Sequence, residues 1–271
     1  MTDVSVIIPT HQRPAALRRT LSALGQQDYP VTLFEVLVVV DGPGDETTSV
    51  LRDFDPPFTL RVSEQPRQGA AAARNRGASQ AAGRWLIFLD DDIEAMPSLI
   101  EAHVAALRAG AGDVVIGYLP AIVSGKPSFF QSELRHWWAS MFEAMHLPGH
   151  RFNYRDLLSG NFSLAAELFQ KVGGFDPSFQ CHEDYELGAR LLRVGARFTF
   201  LPAAVGYHHE SSDLHRALQR KYQESIADIQ LGRCYPELKP TLMLAQLEQH
   251  GSLLVRLLRD HAFSDPHGEE P

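Results

Sequence analysis

Three consecutive aspartates, Asp90-Asp91-Asp92, directly follow the apolar run Trp85–Leu89. Five apolar residues that end abruptly in carboxylates are typical of a buried strand. In an open α/β sheet, ligands bind outside the carboxyl ends of the strands. Clustered carboxylates repel one another unless a cation lies among them, and Mg²⁺ or Mn²⁺ prefers oxygen ligands and often also binds substrate phosphates. The triplet therefore predicts a metal–phosphate site, with a solvated loop or a helix cap at Asp92 or Glu94 as the alternative.

The composition narrows the class of protein. The chain has 271 residues, of which 44% are hydrophobic, so it can form one large domain or two small ones. A formal net charge of −8 argues against broad binding to nucleic acid. The two cysteines, Cys181 and Cys234, have no CxxC spacing, which indicates a reducing compartment and no cysteine metal site. No signal peptide or apolar run of about 18 residues is visible, so we expect a cytoplasmic protein, with peripheral contact at the inner membrane face left open.

Strand and helix signals alternate along the first half of the chain. Strands are predicted at 4–9, 34–40, 58–62 and 85–89, and helices at 15–24, 46–54 and 69–83. This alternation predicts an α/β fold with a mostly parallel sheet flanked by helices. Beyond the triplet the pattern predicts helices at 98–109, 166–172 and 183–194 and strands at 113–119, 157–164 and 197–201. From about 212 onward it is helical, with a frayed tail at 265–271.

Six short segments carry a resemblance to a known family. They are VSVIIPT at 4–10, VVVDG at 38–42, GAAAARNRG at 69–77, FLDDD at 88–92, GGFD at 173–176 and ED at 183–184. In this order they resemble the inverting nucleotide-sugar glycosyltransferases of family 2, which have the Rossmann-like GT-A fold of nucleotide-diphospho-sugar transferases. The resemblance implies a catalytic domain at 1–210, with a nucleotide-binding half at 1–95 and an acceptor half at 96–210. Residues 211–271 would form a C-terminal helical extension and tail.

The resemblance also implies a metal site. Asp90 and Asp92 match the two acids of the family's DxD motif, with Asp92 as the direct ligand of Mn²⁺ or Mg²⁺ and Asp90 reaching the ribose or the metal through water. Asp91 fills the variable position beside the nucleotide and is expected to be replaceable. A histidine after the last strand completes the metal shell in several members, which favours His208 over His209; a structural histidine is the alternative.

A base and several nucleotide contacts are implied in the same way. Asp184 matches the general base, and Glu183 would orient it or touch the acceptor; ordinary partners of a helix dipole are the alternative. The residues expected to bind the nucleotide are Pro9, Thr10, Arg13, Asp41 at the base and Arg74 at the phosphates. Loop capping, an Asx turn before Gly42 and a solvated arginine are the alternatives for these positions.

Four further residues are expected near the donor sugar and the acceptor. Gly160 and Asn161 resemble a segment that lines the donor sugar, although a glycine there also suits a turn. Trp137 and Trp138 could form an acceptor platform or touch a membrane, and a plain core helix explains them equally well.

The function implied is transfer of a sugar from a UDP-, GDP- or dTDP-linked donor to a hydroxyl of a glycan, a lipid-linked acceptor or a small molecule. A homodimer is left open. A sugar-1-phosphate nucleotidyltransferase is the enzymatic alternative, although 9–13, PTHQR, lacks the glycine-rich basic loop of that class. A silent relative that binds a sugar nucleotide without turnover is the non-enzymatic one. No GxGxxG follows the first strand, which disfavours a dehydrogenase.

Overall fold

The structure, a computed structural model, describes residues 2–42, 46–122, 129–209 and 214–246. The chain divides into two units. The first comprises Met1–Pro177 with Glu183–Ser212, and the second comprises Ser178–His182 with Asp213–Pro271. The short segment Ser178–His182 thus belongs to the second unit, which a single boundary near 210 did not anticipate. The predicted tail at 265–271 lies outside the described residues.

The first half of the first unit is built as the alternating pattern predicts. Its strands are β1 (Val4–Thr10), β2 (Phe34–Asp41), β3 (Thr59–Gln65) and β4 (Trp85–Leu89). Its helices are α1 (Pro14–Leu24), α2 (Thr47–Arg52) and α3 (Ala70–Gln80). The strands lie in the order β3-β2-β1-β4, all parallel, and β1, β2 and β4 are buried along their whole length. Apolar, largely β-branched runs form such strands because both faces are covered.

The second half of the first unit mixes directions. Its strands are β5 (Ile93–Ala95), β6 (Val114–Tyr118), β7 (Ala121–Ile122), β8 (Asn161–Ala165) and β9 (Phe198–His209). Its helices are α4 (Leu99–Arg108), α5 (Phe129–His146), α6 (Ala166–Lys171) and α7 (Glu183–Arg193). The sheet continues from β4 as β8-β6-β9-β5, with β8 antiparallel to both its neighbours. The expected α/β fold with a mostly parallel sheet is confirmed.

The small residues of α3 allow this helix to lie close to the sheet. A Cβ atom added at Gly77 would lie 2.6 Å from Cγ2 of Ile7 in β1, and Ala73 is fully buried. Close packing of the helix on the strands therefore explains the alanine-rich run, and it fixes the position of Arg74 on the same helix.

The strand β5 was not predicted, and it orders the chain directly after the aspartate triplet. It pairs antiparallel with β9, with Ile93 opposite His208. The close approach requires Gly206, where an added Cβ would lie 2.4 Å from Cγ2 of Ile93. The strand β9 accordingly runs on to His209, beyond the predicted end at 201, and brings both histidines beside the triplet.

A buried histidine ties α4 to the sheet. His103 is fully buried on α4, with its Nε2 2.9 Å from Oδ1 of Asn161 and its Nδ1 2.8 Å from the hydroxyl of Ser163. The Asn161 amide nitrogen donates to two backbone carbonyls, so its oxygen accepts from the His103 N–H. Burial lowers the pKa of His103 to about 4, so the ring is neutral in the folded protein.

The free energy of unfolding should therefore fall in mild acid. Because the unfolded histidine binds its proton near pH 6.5 and the folded one only near pH 4, the unfolded state holds more protons between these values. We expect the free energy of unfolding to be about 2 kcal/mol lower at pH 5 than at pH 7 because of His103. Urea titrations at both pH values should show that difference for the wild type relative to His103→Gln, whose amide keeps hydrogen-bonding capacity without a charge. An equal pH dependence of the two proteins would contradict a buried neutral His103.

Candidate active site

The carboxyl ends of three parallel strands bring the predicted site residues together. Thr10 ends β1, Asp41 ends β2, and the triplet follows β4, which lies on the other side of β1. The Thr10 hydroxyl donates to Oδ2 of Asp91 at 2.7 Å, and the Asp90 N–H donates to the carbonyl of Gly160 at 3.2 Å. The triplet is therefore fixed from the β1 side and from the loop before β8.

Asp92 is the most constrained carboxylate of the triplet. Its Oδ2 lies 2.7 Å from a guanidinium nitrogen of Arg13 and 3.5 Å from Nε2 of His208. Its Oδ1 is buried and accepts no hydrogen bond within the described part of the chain. Burial raises the pKa of Asp92, but the hydrogen bond and charge of His208, followed by the charge of Arg13, outweigh it, so the pKa lies below its ordinary value. The carboxylate is thus held ionised with one oxygen unused.

The structure separates the two histidines. Successive side chains of a strand point to opposite faces, and His209 turns away from Asp92, with its Nε2 2.7 Å from Oε2 of Glu94. His208 lies opposite Ile93 in the sheet, and its Nε2 approaches Oδ2 of Asp92 in the turn before β5. The sequence alone could not show which histidine faces Asp92, because the answer depends on the pairing of β9 with the unpredicted strand β5.

Asp91 has a structural task that its position in the motif did not indicate. The carboxyl is buried, accepts from Thr10 and lies 3.3 Å from Arg13, while its backbone carbonyl accepts from the hydroxyl of Thr20 at 2.8 Å. Burial raises the pKa of Asp91 to about 6. The sequence analysis did not predict Thr20 as a support of the triplet; the signal available was a hydroxyl on the otherwise apolar face of α1. These contacts argue against the expectation that Asp91 can be replaced.

Arg74 joins the triplet to the acidic pair at the start of α7. Its guanidinium donates to Oδ1 of Asp90 and to Oε1 of Glu183, both at 2.7 Å, and lies 5.4 Å from the ring centroid of Phe175. Burial lowers the pKa of Arg74, but the charges of Asp90 and Glu183 outweigh it, so the pKa is raised. The buried guanidinium is therefore committed to two carboxylates, and its predicted contact with phosphates stays a prediction.

Replacement of Arg74 should destabilise the fold. Arg74→Met leaves the carboxylates of Asp90 and Glu183 without their shared cation, which costs about 3 kcal/mol for a buried pair and lowers Tm by about 10 °C in a chain of this size. Thermal unfolding with Arg76→Met as the matched control measures this, because Arg76 lies on the same helix and its hydrogen bond to Ser63 is exposed. Equal Tm values for the two variants would show that the bridge contributes little.

The candidate base is held by backbone groups. Asp184 lies in the first turn of α7, where its Oδ2 accepts from the N–H of Ser159 at 3.1 Å and its Oδ1 from the N–H of Tyr185 at 2.9 Å. Both bonds fix the carboxylate in one orientation beside the loop that precedes β8. Its neighbour Glu183 is instead held by Arg74.

Asp41 organises the loop that leads into α3. Its Oδ1 accepts from the backbone N–H of Gln68 and the side chain of Gln65, and its Oδ2 accepts from the N–H of Gly69, at 2.8–2.9 Å. Gly42 follows with φ of 117°, a conformation that glycine adopts without strain. The carboxylate thus bonds to the segment 65–69 and does not form the Asx turn considered as the alternative, and the contact with a nucleotide base stays a prediction.

Gly160 and Asn161 have different places. A Cβ added at Gly160 would lie 3.0 Å from Oδ2 of Asp90, so this glycine allows the close approach of the triplet. Asn161 is fully buried, and its amide is used by His103 and by the carbonyls of Tyr118 and Ala204. Internal hydrogen bonds therefore occupy the Asn161 side chain, and the lining of the donor sugar by the Gly160–Asn161 segment stays a prediction.

The two tryptophans lie on α5 beside His208. The Trp138 ring stacks near Phe142 and meets the His208 ring edge-on with centroids 6.3 Å apart. Trp137 contacts Trp138 edge-on at 5.1 Å and is 48% exposed. Trp138 is thus part of the wall of the site, and Trp137 offers an exposed aromatic face next to it.

The donor set at Asp92 and His208 fits a divalent cation. A buried carboxylate oxygen that accepts no hydrogen bond within the described residues has the character of a metal ligand, and a neighbouring imidazole adds a nitrogen donor. Arg13 supplies a positive charge to the same carboxylate and is about half exposed, so it can turn toward an anionic ligand.

Among the described helices, none is long and apolar enough to cross a membrane.

Solved structures with the same architecture define the fold class. The structure resembles TarS 1-349 of S. aureus in complex with UDP, with a TM-score of 0.67 and 19% identity over 96% of this chain and 79% of that one. It also resembles the mannosyltransferase PcManGT from Pyrobaculum calidifontis in complex with GDP-Man and Mn²⁺, with a TM-score of 0.62 and 22% identity over 95% of this chain and 78% of that one. The chain has the GT-A fold.

Sequence comparison gives the family. Residues 5–173 match the family described as Glycosyl transferase family 2, and residues 139–221 match the one described as the N-terminal domain of galactosyltransferase. The chain belongs to glycosyltransferase family 2, as the six segments indicated.

Curated relatives are longer than this chain. Validoxylamine A glucosyltransferase of Streptomyces hygroscopicus subsp. jinggangensis is 31% identical over 278 residues, which cover 89% of this chain and 63% of that protein. Hyaluronan synthase of Pasteurella multocida is 27% identical over 82% of this chain and 26% of its own length. Glycosyltransferase AglE of Haloferax volcanii is 36% identical over 76% of this chain and 66% of its own length. The chain thus spans less than two thirds of these relatives.

Proposed function

We propose that this chain transfers a sugar from a nucleoside diphosphate donor to an acceptor hydroxyl, with inversion at the anomeric carbon and with the help of Mn²⁺ or Mg²⁺. The observation that carries the proposal is the buried Oδ1 of Asp92, which accepts no hydrogen bond in the described chain and lies beside His208. Membership of family 2 supports the reaction class, and the GDP-Man and Mn²⁺ named with PcManGT support a metal–nucleotide site.

The chain's own residues would hold both the cation and the diphosphate. Asp92 and His208 are the direct ligands in this proposal, and Asp90, whose carboxylate is held by Arg74, would reach the ribose or the metal through water. A bound divalent cation neutralises charge on the departing nucleoside diphosphate. Arg13, half exposed beside Asp92, would contact the phosphates when Asp92 turns to the metal, and Pro9, Thr10 and Asp41 would line the nucleotide.

The displacement step needs a base near the acceptor. As the acceptor oxygen bonds to the anomeric carbon, the bond from that carbon to the phosphate oxygen breaks and the nucleoside diphosphate leaves. The acceptor's proton passes to the Asp184 carboxylate, which the N–H groups of Ser159 and Tyr185 hold in place. Glu183, held by Arg74, is the positioning residue beside it. The exposed face of Trp137 would stack on the acceptor.

A product assay separates the possible functions. The protein is incubated with UDP-, GDP- and dTDP-linked sugars and Mn²⁺, and release of nucleoside diphosphate is measured with and without excess chelator. We expect slow hydrolysis of the donor, with release of nucleoside diphosphate that depends on the metal. Consumption of nucleoside triphosphate and sugar 1-phosphate with pyrophosphate release would indicate a nucleotidyltransferase. Metal-dependent stabilisation by a nucleotide with no turnover on any donor would indicate a silent relative.

A further inference from the structure

Three metal-binding side chains meet in the second unit. The sulfur of Cys181, a ring nitrogen of His182 and a carboxylate oxygen of Glu224 all lie within 4.8 Å of one another. Cys181 and His182 belong to the segment Ser178–His182, and Glu224 lies on α8 (Leu214–Cys234). Such spacing matches three ligands on one cation, because thiolate, imidazole and carboxylate bind Zn²⁺ at about 2.0–2.3 Å.

The backbone at His182 is arranged for this meeting. His182 has φ of 58°, in the left-handed region that residues other than glycine seldom adopt. Neighbouring side chains in an extended segment point to opposite sides, and the turn at His182 allows it and Cys181 to face the same helix. Strain of this kind is kept where the surrounding structure requires it.

A second carboxylate lies beside the imidazole. Asp228 lies one helical turn beyond Glu224, on the same face of α8, and its Oδ1 is 3.3 Å from Nδ1 of His182. Its Oδ2 accepts from the backbone N–H of Met243 at 3.2 Å, so the carboxylate is itself held in place. A carboxylate behind a histidine is the usual outer partner of a zinc ligand, because it fixes the ring and makes the other nitrogen a better donor.

We propose that Cys181, His182 and Glu224 form a binding site for Zn²⁺ or a similar borderline divalent ion, with a fourth position open to water. The donor set differs from the oxygen-rich one at the triplet, so the two sites would select different metals. The proposal does not depend on the proposed function. It revises the prediction of no cysteine metal site, which considered only cysteine pairs close in sequence.

Two cations compete for the same carboxylate. Nε of Arg220 lies 3.0 Å from Oε1 of Glu224, and Nζ of Lys221 lies 2.6 Å from Oε2. The side chains of Arg220 and Lys221 are exposed, and ion pairs of such side chains contribute little stability and can yield to a metal. Removal of one of these cations should therefore strengthen metal binding.

Titration of the reduced full-length chain with Co²⁺ tests the site. A thiolate bound to Co²⁺ gives a near-ultraviolet charge-transfer band, which carboxylate and imidazole ligands at Asp92 and His208 do not produce. We expect the band in the wild type, its loss on addition of Zn²⁺, and its absence in Cys181→Ser. Cys234→Ser is the matched control, because Cys234 ends the same helix and lies outside the cluster; it should keep the band.

Affinity for Zn²⁺, measured by competition with Co²⁺, tests the other ligands. His182→Asn, which tolerates the left-handed backbone, and Glu224→Gln should each weaken binding at least about tenfold. Lys221→Met should tighten it by up to about fivefold, a gain that a misfolded variant could not show. The proposal is overturned if the wild type gives no band, if Cys181→Ser keeps it, or if His182→Asn and Glu224→Gln bind like the wild type. Weaker binding by Lys221→Met would likewise remove Glu224 from the ligand set.

Discussion

Asp92→Asn is expected to lower kcat/KM for the sugar nucleotide by about 10³-fold in the presence of Mn²⁺. The variant keeps the size of the side chain but removes the charge on the oxygen that faces His208 and on the oxygen that is buried beside it. A metal that stabilises the departing diphosphate contributes several kcal/mol to the transition state, and about 4 kcal/mol corresponds to this factor. Release of nucleoside diphosphate gives the rate, and calorimetric titration of Mn²⁺ with nucleotide present gives the metal affinity.

The matched control for this variant is Glu94→Gln. Glu94 lies two residues further along, on β5, and its carboxylate pairs with His209 rather than with His208. A metal shell built on Asp92 leaves the rate of this control close to that of the wild type. If Glu94→Gln lost as much activity and Mn²⁺ affinity as Asp92→Asn, the ligands would have to be sought on the other face of β9.

The first half of the fold could be predicted because its signals are local. Each of β1, β2 and β4 is a continuous apolar run, and parallel strands joined by helices allow few arrangements. The carboxyl ends that carry Thr10, Asp41 and the triplet then fall at one edge of the sheet without knowledge of any long-range contact. The site's location, though not its internal bonding, follows from that pattern.

The second half could not be predicted at the same level because its strands depend on distant partners. β5 has only three residues, and it exists through antiparallel pairing with β9, more than a hundred residues later. That pairing decides which histidine faces Asp92. The antiparallel placement of β8 between β4 and β6 is equally non-local, and it puts Asn161 in the core, where a sequence motif suggested a sugar contact.

Arg74 shows the same limit at the level of a single side chain. A lone arginine on a helix of small residues is usually solvated, and the resemblance pointed to phosphates instead. The structure gives it two carboxylate partners, one 16 and one 109 residues away in the sequence. Neither partner can be chosen from spacing, because the choice depends on how α3 packs on β1 and where α7 begins.

Asp184→Asn is expected to reduce kcat by about 10²–10⁴-fold while nucleotide binding stays unchanged. The amide oxygen can accept from the N–H of Ser159, which holds the loop before β8, while the bond from the N–H of Tyr185 within α7 is lost, so Tm is measured alongside kcat to confirm the fold. What the variant loses is the capacity to take the acceptor's proton. Since Asp92, Asp90 and Arg13 are untouched, the affinity for nucleoside diphosphate with Mn²⁺ should match that of the wild type in calorimetric titration.

Glu183→Gln distinguishes the base from its neighbour. Glu183 is the partner of Arg74, so loss of its charge should lower Tm and shift the position of the start of α7, with a smaller loss of kcat than in Asp184→Asn. The two variants are compared at equal saturation with the donor, so that differences in binding do not enter. Near-normal turnover by Asp184→Asn together with a large loss in Glu183→Gln would move the base to Glu183, where the pairing with Arg74 would then have to break before the proton is taken.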